Sequence, residues 1–392
     1  MDYDVVVIGG GIHGVGAAQA AAAAGHSVLV IEQHALASGT SSRSSKLIHG
    51  GLRYLESGQI RLVRECLYER ELLLTNAPDL VTLRPFFIPV YPQTRRRPWK
   101  LRAGLSLYAM LTGLRSSALF RTVPRSQWDT LDGLDAAGLQ TVLQYWDAQT
   151  DDNLLTQAVM QSAQTMGAEL WIPAKFMSAE PHSTGWNLQV DYAGKSREIH
   201  ARAVVNAAGP WARRVDEKAG LLHRACDVDL VQGTHIILDA PLKSGIYYVE
   251  APQDGRAVFV MPWYQRTLVG TTERIYQGDP AAVMPMAEEK SYLFTVLQHY
   301  FPAYRDLSVR DVAESFAGLR VLPAASGAAF SRPRETIISV DQDVSPRWAS
   351  IYGGKLTAYR ATAEQVMRRL QPALPKRAAR GDTRRLRLVP AD

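Results

Sequence analysis

The chain has 392 residues, 46% of them hydrophobic, and a formal net charge of +6. This length exceeds one simple core, so the sequence predicts a globular protein of two lobes. Its two cysteines, Cys66 and Cys226, lack CxxC spacing, which excludes a disulfide framework and a cysteine-based metal site. Nine histidines without metal-ligand spacing predict no metal centre. The sequence has neither a signal peptide nor an uncharged apolar stretch of spanning length, which predicts a cytoplasmic protein.

The N-terminal segment predicts a strand, a glycine-rich turn and a helix. An apolar run at residues 4–8 leads into the sequence GGGIHGVG, and an alanine-rich helix follows. Gly9 permits the tight turn, Gly11 lets the backbone approach a pyrophosphate, and Gly14 lets the helix pack close to the strand. The N–H groups at the start of that helix attract phosphate.

A second apolar run, residues 28–31, ends at Glu32, which lies 18 residues after Gly14. A carboxylate at this position accepts hydrogen bonds from a ribose diol and repels a 2′-phosphate, which argues against NADP. The strand, the helix and the acidic residue together predict a site for NAD or FAD.

A hydroxyl-rich loop follows. A serine cluster of this kind is often only a flexible loop, but the string KLIHGG directly after it favours a loop that contacts the cofactor. The residues predicted to contact the cofactor here are Ser41, Ser42, Ser44, Ser45 and Lys46. Arg53 lies next, inside the otherwise apolar, glycine-rich string 47–55. A merely solvated arginine is unnatural there, so we expect Arg53 to contact an anionic substrate; a structural ion pair is the alternative.

Basic residues concentrate in two further segments. Residues 95–102 contain RRRPWKLR and precede an apolar helix candidate at residues 103–114, while residues 376–387 carry six basic side chains. The segment 95–114 predicts either peripheral contact with the inner face of the cell membrane or a solvated basic loop before a buried helix. It lacks the interleaved aromatic residues of a nucleic-acid site, so no nucleic-acid partner is expected.

The rest of the chain alternates between strands and helices. The pattern predicts strands at residues 186–192, 203–206, 228–238, 257–270, 337–340 and 348–351, and helices at residues 287–300 and 356–370. The buried strand pattern of residues 203–206 is far from the N-terminal motif. We therefore expect a nucleotide domain built from separated segments, with an antiparallel substrate lobe inserted between them.

Seven segments resemble the FAD-dependent glycerol-3-phosphate dehydrogenase family. They are VVVIGGGIHGVGAA, SSRSSKLIHGGLRYLE, VVNAAGPWA, QGTHIIL, VGTTE, FAGLRVL and YGGKLTAYR, in that family's order from Tyr3 to about Leu370. SSKLIHGGLRYLE is the specific string, because dinucleotide fingerprints are widespread. The resemblance implies FAD and oxidation of sn-glycerol 3-phosphate, a small phosphorylated polyol, to dihydroxyacetone phosphate. Electrons would pass to quinone or dioxygen.

The resemblance also implies an α/β, two-domain flavoprotein fold: a glutathione-reductase-like Rossmann FAD domain with an inserted antiparallel-sheet substrate domain. The expected FAD-binding domain covers residues 1–75, 146–225 and 330–375, the substrate domain covers 76–145 and 226–329, and a basic C-terminal tail covers 376–392. The sequence departs from the family pattern in two ways. Members usually continue into a helical C-terminal domain, whereas this sequence ends at Asp392, and Glu273 stands where aspartate is usual.

Flavin-dependent oxidation of a secondary alcohol needs a proton acceptor and an anchor for the rest of the substrate. The family match favours His235 as the base, although a lone histidine in a strand is often a core residue. Arg320 is expected to stabilise the developing alkoxide. The expected substrate contacts are Arg53, Tyr54, Arg334 and Lys355. Alternatives exist for three of these contacts. Tyr54 could instead be a core aromatic residue, Lys355 could form a structural ion pair, and Arg332 could bind the substrate in place of Arg334.

Later segments are expected to reach the same non-covalently bound cofactor. The expected contacts are Gly209, Gly353, Gly354, Lys355, Leu356 and Thr357. The helix beginning near Leu356 would point its N-terminus at the flavin N1–C2=O region. Two other readings stay open: a related FAD-dependent oxidoreductase acting on another small anionic hydroxy or amino acid, and a non-catalytic flavin-binding subunit.

Overall fold

The computed structural model describes residues 2–324 and 336–390. The helices are α1 (Ile12–Ala23), α2 (Ile60–Asn76), α3 (Pro98–Leu111), α4 (Asp152–Thr165), α5 (Ala212–Lys218), α6 (Ala287–Tyr300) and α7 (Tyr359–Leu370). The strands of the N-terminal half are β1 (Tyr3–Ile8), β2 (Val28–Ile31), β3 (Leu47–Ile48), β4 (Val81–Val90), β5 (Arg121–Thr122), β6 (Thr141–Thr150), β7 (Glu169–Trp171), β8 (Ala174–His182), β9 (Gly185–Tyr192) and β10 (Lys195–Asn206). The others are β11 (Val228–Leu238), β12 (Ile246–Glu250), β13 (Ala257–Trp263), β14 (Arg266–Gly270), β15 (Arg274–Tyr276), β16 (Val312–Pro323), β17 (Ile337–Val340) and β18 (Trp348–Tyr352).

The first sheet has the order β17-β18-β10-β1-β2-β7, and its strands from β18 to β7 run parallel. Its central strands are apolar because both faces are covered. Val5 and Val7 pack under α1, α4 and α7, whereas Val6 and Ile8 pack against the β8–β9 hairpin and α5. Since these strands come from distant parts of the chain, the domain is assembled from separated segments.

The second sheet has the order β15-β11-β14-β13-β12-β4-β6-β3, with β16 paired to β11 and β5 to β6. Its pairs are antiparallel except for β4 with β12. Helix α6 covers one face, and α2 with α3 covers part of the other. A Rossmann sheet joined to a largely antiparallel sheet confirms the predicted fold class.

Two strands of the second sheet, β6 and β3, do not follow the expected division of the chain. Strand β6 runs through residue 146, where the sequence places a domain boundary, and β3 pairs with β6 although residues 47–48 lie in an expected FAD-binding segment. Helix α3 begins at Pro98 instead of residue 103, because proline is favoured at the first helical position, where its missing N–H would have no partner in the helix. A 3₁₀ turn precedes α7, so the α-helix begins three residues after Leu356.

The expected basic tail packs on the first domain. Arg377 forms an ion pair with Asp4 at 3.1 Å, and the N–H of Arg380 donates to the carbonyl of Ala23 at 2.7 Å. Leu388, 2% exposed, belongs to the same core as α1. Within residues 2–324 and 336–390, no helix is both long and apolar enough to cross a bilayer.

Candidate functional site

A cavity of about 970 Å³ is lined by residues from both sheets. The start of α1 and the carboxyl ends of β1, β10 and β18 form one part of its wall. The loop at residues 38–45, the turn at residues 49–54, β11, β13 and β16 form the rest. Carboxyl ends of parallel strands are the usual ligand-binding edge of an open α/β sheet, so this cavity is the candidate site.

The glycines of the N-terminal motif have separate structural roles. A Cβ atom on Gly14 would lie 1.9 Å from the carbonyl oxygen of Gly9, so a side chain here would push α1 away from β1. Gly9 and Gly11 line the cavity, and Gly14 lies behind its wall. Helix α1 starts at the cavity without an acidic residue in its first turn, which leaves the positive end of its dipole available to phosphate.

Glu32 presents a fixed carboxylate at the cavity wall. Its Oε2 accepts a hydrogen bond from the N–H of Gly10 at 2.7 Å, and its Oε1 accepts one from the N–H of His34 at 2.8 Å. A carboxylate oxygen accepts more than one hydrogen bond, so both atoms keep acceptor capacity for a ribose diol. The glycine cradle, the helix end and this carboxylate fit a dinucleotide.

The hydroxyl-rich loop divides between the cavity and the protein interior. Ser41, Ser44 and Ser45 line the cavity, whereas Ser42 and Lys46 do not. Nζ of Lys46 donates to Oδ1 of Asp152 and to the carbonyl of Ser42, each at 2.6 Å. A buried ammonium group needs a carboxylate partner, and Asp152 at the start of α4 supplies it. Lys46 therefore holds the loop against α4, which differs from the cofactor contact expected from the sequence.

His235 lies on β11 with only 1% of its surface exposed. Its Nε2 lies 2.9 Å from Oγ of Ser45, and its ring stacks on Phe316 with centroids 4.8 Å apart. Burial, and then the charges of Arg320 and Lys46, hold the pKa of His235 well below its ordinary value. The imidazole is therefore neutral at physiological pH, as a proton acceptor has to be.

Arg320, on β16, forms an ion pair with Glu273 in which Nη1 and Oε1 are 2.8 Å apart. Both side chains line the cavity. The sequence treats Glu273 as a departure from the family pattern and not as a site residue. Its partnership depends on the pairing of β11 with β16, which residue types alone do not reveal.

Cationic groups gather around Tyr54 at another part of the wall. Nζ of Lys355 lies 3.7 Å from the centroid of the Tyr54 ring, and Cζ of Arg53 lies 5.7 Å from the same centroid. Cations near an aromatic face are attracted by its quadrupole, so each of the two groups has a favourable contact with the Tyr54 ring. Nζ of Lys355 also lies 3.8 Å from Sγ of Cys66, whose pKa burial raises to about 11. The fourth expected contact, Arg334, lies outside the described residues.

Buried hydrogen bonds hold the turn that carries Arg53, and the sequence did not predict the residues that form them. The N–H of Gly50 donates to the hydroxyl of Tyr108 at 2.8 Å. That hydroxyl donates to Oδ2 of Asp147 at 2.6 Å, and Arg70 binds Oδ1 of the same carboxylate at 2.6 Å. These three side chains come from α3, β6 and α2, and nothing in their local sequence marks them as partners.

The later expected cofactor contacts also line the cavity: Gly209, Gly353, Gly354, Lys355, Leu356 and Thr357. Gly354 has φ +111°, and a Cβ atom there would lie 2.1 Å from Nε2 of His13, so glycine is required. Burial lowers the pKa of His13, another cavity residue that the sequence did not single out, to about 4. Among the described residues, no group of three or more metal-ligating side chains could hold a metal ion.

Comparisons with known proteins place this geometry in a family. Residues 4–360 match the family described as FAD dependent oxidoreductase. A glycerol-3-phosphate dehydrogenase of Pseudomonas aeruginosa is 40% identical over 377 residues, which cover 94% of this chain and 72% of that protein. A D-erythritol 1-phosphate dehydrogenase of Brucella abortus is 35% identical over 378 residues, covering 95% and 74%. The solved glycerol-3-phosphate dehydrogenase of Bacillus halodurans, complexed with FAD, superposes with a TM-score of 0.76 at 28% identity, covering 99% of this chain and 68% of that one.

Proposed function

This chain belongs to the FAD-dependent oxidoreductase family, in agreement with the resemblance in its sequence, and from that premise we propose that it oxidises sn-glycerol 3-phosphate to dihydroxyacetone phosphate. The observation that supports this proposal is one cavity that combines a dinucleotide cradle, a neutral buried histidine and a cluster of cations. The glycerol-3-phosphate dehydrogenase at 40% identity supports the same substrate class.

FAD is the cofactor of this family and accepts the hydride from the carbinol carbon when it is bound. Gly9, Gly11 and the N-terminus of α1 would hold its pyrophosphate, and Glu32 would accept hydrogen bonds from its ribose. Residues 353–357, together with Ser41 and Gly209, would contact the remainder.

The substrate phosphate is held by Arg53 and Lys355. Guanidinium and ammonium groups bind phosphate oxygens through charge-assisted hydrogen bonds, and both cations meet at the Tyr54 ring. Tyr54 adds a hydroxyl donor at the same place. Arg334 remains a further predicted phosphate contact.

His235 is the base of the reaction, because its imidazole is neutral and it lines the cavity. Arg320 stabilises the negative charge that develops on the substrate oxygen. The Glu273 carboxylate orients the Arg320 guanidinium through the 2.8 Å ion pair.

Electrons leave to quinone or dioxygen, and quinone agrees with peripheral membrane contact through residues 95–114. On α3, Leu101 and Leu105 are buried, whereas Trp99 and Met110 are 67% and 64% exposed. These two exposed apolar side chains beside basic residues are compatible with a membrane interface. Arg96 is not available to lipid, since it pairs with Glu56 and Glu250 at 2.6 Å each.

Anaerobic mixing of the purified FAD-loaded protein with glycerol 3-phosphate tests the proposal. We expect prompt bleaching of the oxidised flavin spectrum and formation of dihydroxyacetone phosphate. Bleaching by a tetritol 1-phosphate, a hydroxy acid or an amino acid, but not by glycerol 3-phosphate, would assign a different anionic substrate. Protein that carries FAD and is bleached by none of them would be a non-catalytic flavin-binding subunit.

A further inference from the structure

The candidate base lines the cavity, yet almost none of its surface is exposed. His235 is 1% exposed, and its Nδ1 is buried without a hydrogen-bond partner among the residues described. Its ring lies between Phe316 and Gly270, where a Cβ atom on the glycine would be 2.0 Å from Cδ2. The ring therefore cannot turn freely, and its Nε2 faces Oγ of Ser45 at 2.9 Å.

Ser45 also lines the cavity, with its hydroxyl within hydrogen-bond distance of the base, and its two neighbours hold it there. The N–H of Ser44 donates to Oδ2 of Asp152 at 3.0 Å, and Nζ of Lys46 donates to Oδ1 at 2.6 Å. Ser45 is partly exposed and lines the cavity. Of the two hydrogen-bonded groups, the Ser45 side chain is therefore the more accessible from the cavity.

We propose that Ser45 is a catalytic residue whose hydroxyl accepts the proton of the substrate hydroxyl and passes its own proton to Nε2 of His235. The O–H bonds of the substrate and of Ser45 break, and an O–H bond on Ser45 and an N–H bond on His235 form. The two electrons leave the carbinol carbon as the hydride that FAD accepts. This inference rests on the proposed function, which supplies the oxidant and the alcohol.

The charged groups around His235 favour its neutral resting form. Lys46, paired with Asp152, and Arg320, paired with Glu273, are the charged groups that face it. Burial, and then the two cations, lower the pKa of His235 and keep the resting imidazole neutral, so Nε2 can accept a hydrogen bond from the Ser45 hydroxyl. The tautomer that serves the relay carries its proton on Nδ1.

Stopped-flow reduction of the FAD-loaded protein under anaerobic conditions measures the step. Removal of the hydroxyl in Ser45→Ala should slow flavin reduction about 100- to 1,000-fold, within the range of proton-transfer catalysis. Ser45→Thr, which keeps a hydroxyl, should restore the rate to within about tenfold of wild type. Ser291→Ala, an exposed serine on α6, is the matched control and should leave the rate unchanged. Adding Ser45→Ala to His235→Gln should cost little more, because the two act as one unit.

Two measurements separate a relay from a structural role. In H₂O–D₂O mixtures the wild-type reduction rate should give a curved proton inventory, since two protons move, and Ser45→Ala a linear one. The ¹⁵N NMR spectrum of labelled histidine should show Nδ1 protonated and Nε2 hydrogen-bonded in wild type, with Nε2 shifted in Ser45→Ala.

A linear wild-type inventory, or a Ser45→Ala rate within threefold of wild type, would overturn the relay; the inventory needs no variant that has to fold. If the wild-type flavin is not reduced by glycerol 3-phosphate, the proposed function fails instead. The NMR spectrum then still reports whether Ser45 binds His235.

Discussion

The two ends of the cavity are built in different ways. At the dinucleotide end, the groups positioned to bind the cofactor are backbone groups and one carboxylate. The residues that form this end, Gly9, Gly11, Gly14 and Glu32, lie within 24 residues of one another. At the substrate end, long side chains come together from β11, β16 and the segment after β18. A substitution in the local motif should therefore abolish FAD binding altogether. A substitution at the substrate end should instead affect either catalysis or substrate binding and leave FAD bound.

The largest expected effect is at the dinucleotide end. In Gly14→Ala the new Cβ atom would lie 1.9 Å from the carbonyl oxygen of Gly9, so α1 and its N-terminus have to move. We expect purified protein without FAD, read from the ratio of flavin to protein absorbance. Gly104→Ala on α3 meets only Leu52 at 3.9 Å and should keep full FAD content. Normal FAD content in Gly14→Ala would contradict the view of this end as one cooperative motif.

The next largest effect is expected at the base. His235→Gln should lower kcat by about 10²- to 10⁴-fold, because general base catalysis is lost, while FAD content stays at the wild-type level. His182→Gln, on the exposed end of β8, is the control and should match wild type. A His235→Gln protein that lost FAD together with activity would show that the two ends are not independent.

A substitution of Lys355 tests the proposed contact with the substrate phosphate. Lys355→Met should raise KM for glycerol 3-phosphate about 10- to 150-fold, since a hydrogen bond to a charged group contributes about 1.5–3 kcal/mol. Steady-state kinetics with a saturating electron acceptor give KM and kcat separately. Lys195→Met, in an exposed hairpin, should change neither constant. If Lys355→Met lowered only kcat, Lys355 would act on the flavin and not on the phosphate.

The smallest effect is a pH dependence of stability. His13 has a pKa of about 4 in the folded protein, below its value of 6.5 when unfolded, so the unfolded state binds more protons between these pH values. The free energy of unfolding should therefore fall as pH falls from 6.5 to about 4, by about 1.4 kcal/mol per pH unit at most. Melting temperatures of wild type and His13→Asn across this range test it. If the melting temperatures of both proteins changed equally with pH, His13 would not be the cause of the pH dependence.

Residue patterns alone predicted much of this molecule. Strand 228–238 and helix 287–300 are confirmed at their full bounds as β11 and α6, and the N-terminal motif predicted the dinucleotide end. These predictions are correct because hydrophobic periodicity and glycine turns depend on residues that are close together in the sequence. The specific string at residues 44–56 predicted the family, which is also confirmed.

The tertiary structure decided which polar side chains meet. By sequence, Ser45 and Lys46 belonged to one loop with one expected role, yet the fold directs Ser45 to His235 and Lys46 to Asp152. The same holds for Glu273 with Arg320 and for Tyr108 beneath Gly50. Such partners lie up to 190 residues apart, and strand register sets their distance. Residue type and spacing determined the backbone cradle, whereas strand pairing and burial determined the contact between Ser45 and His235 and the charge pairs.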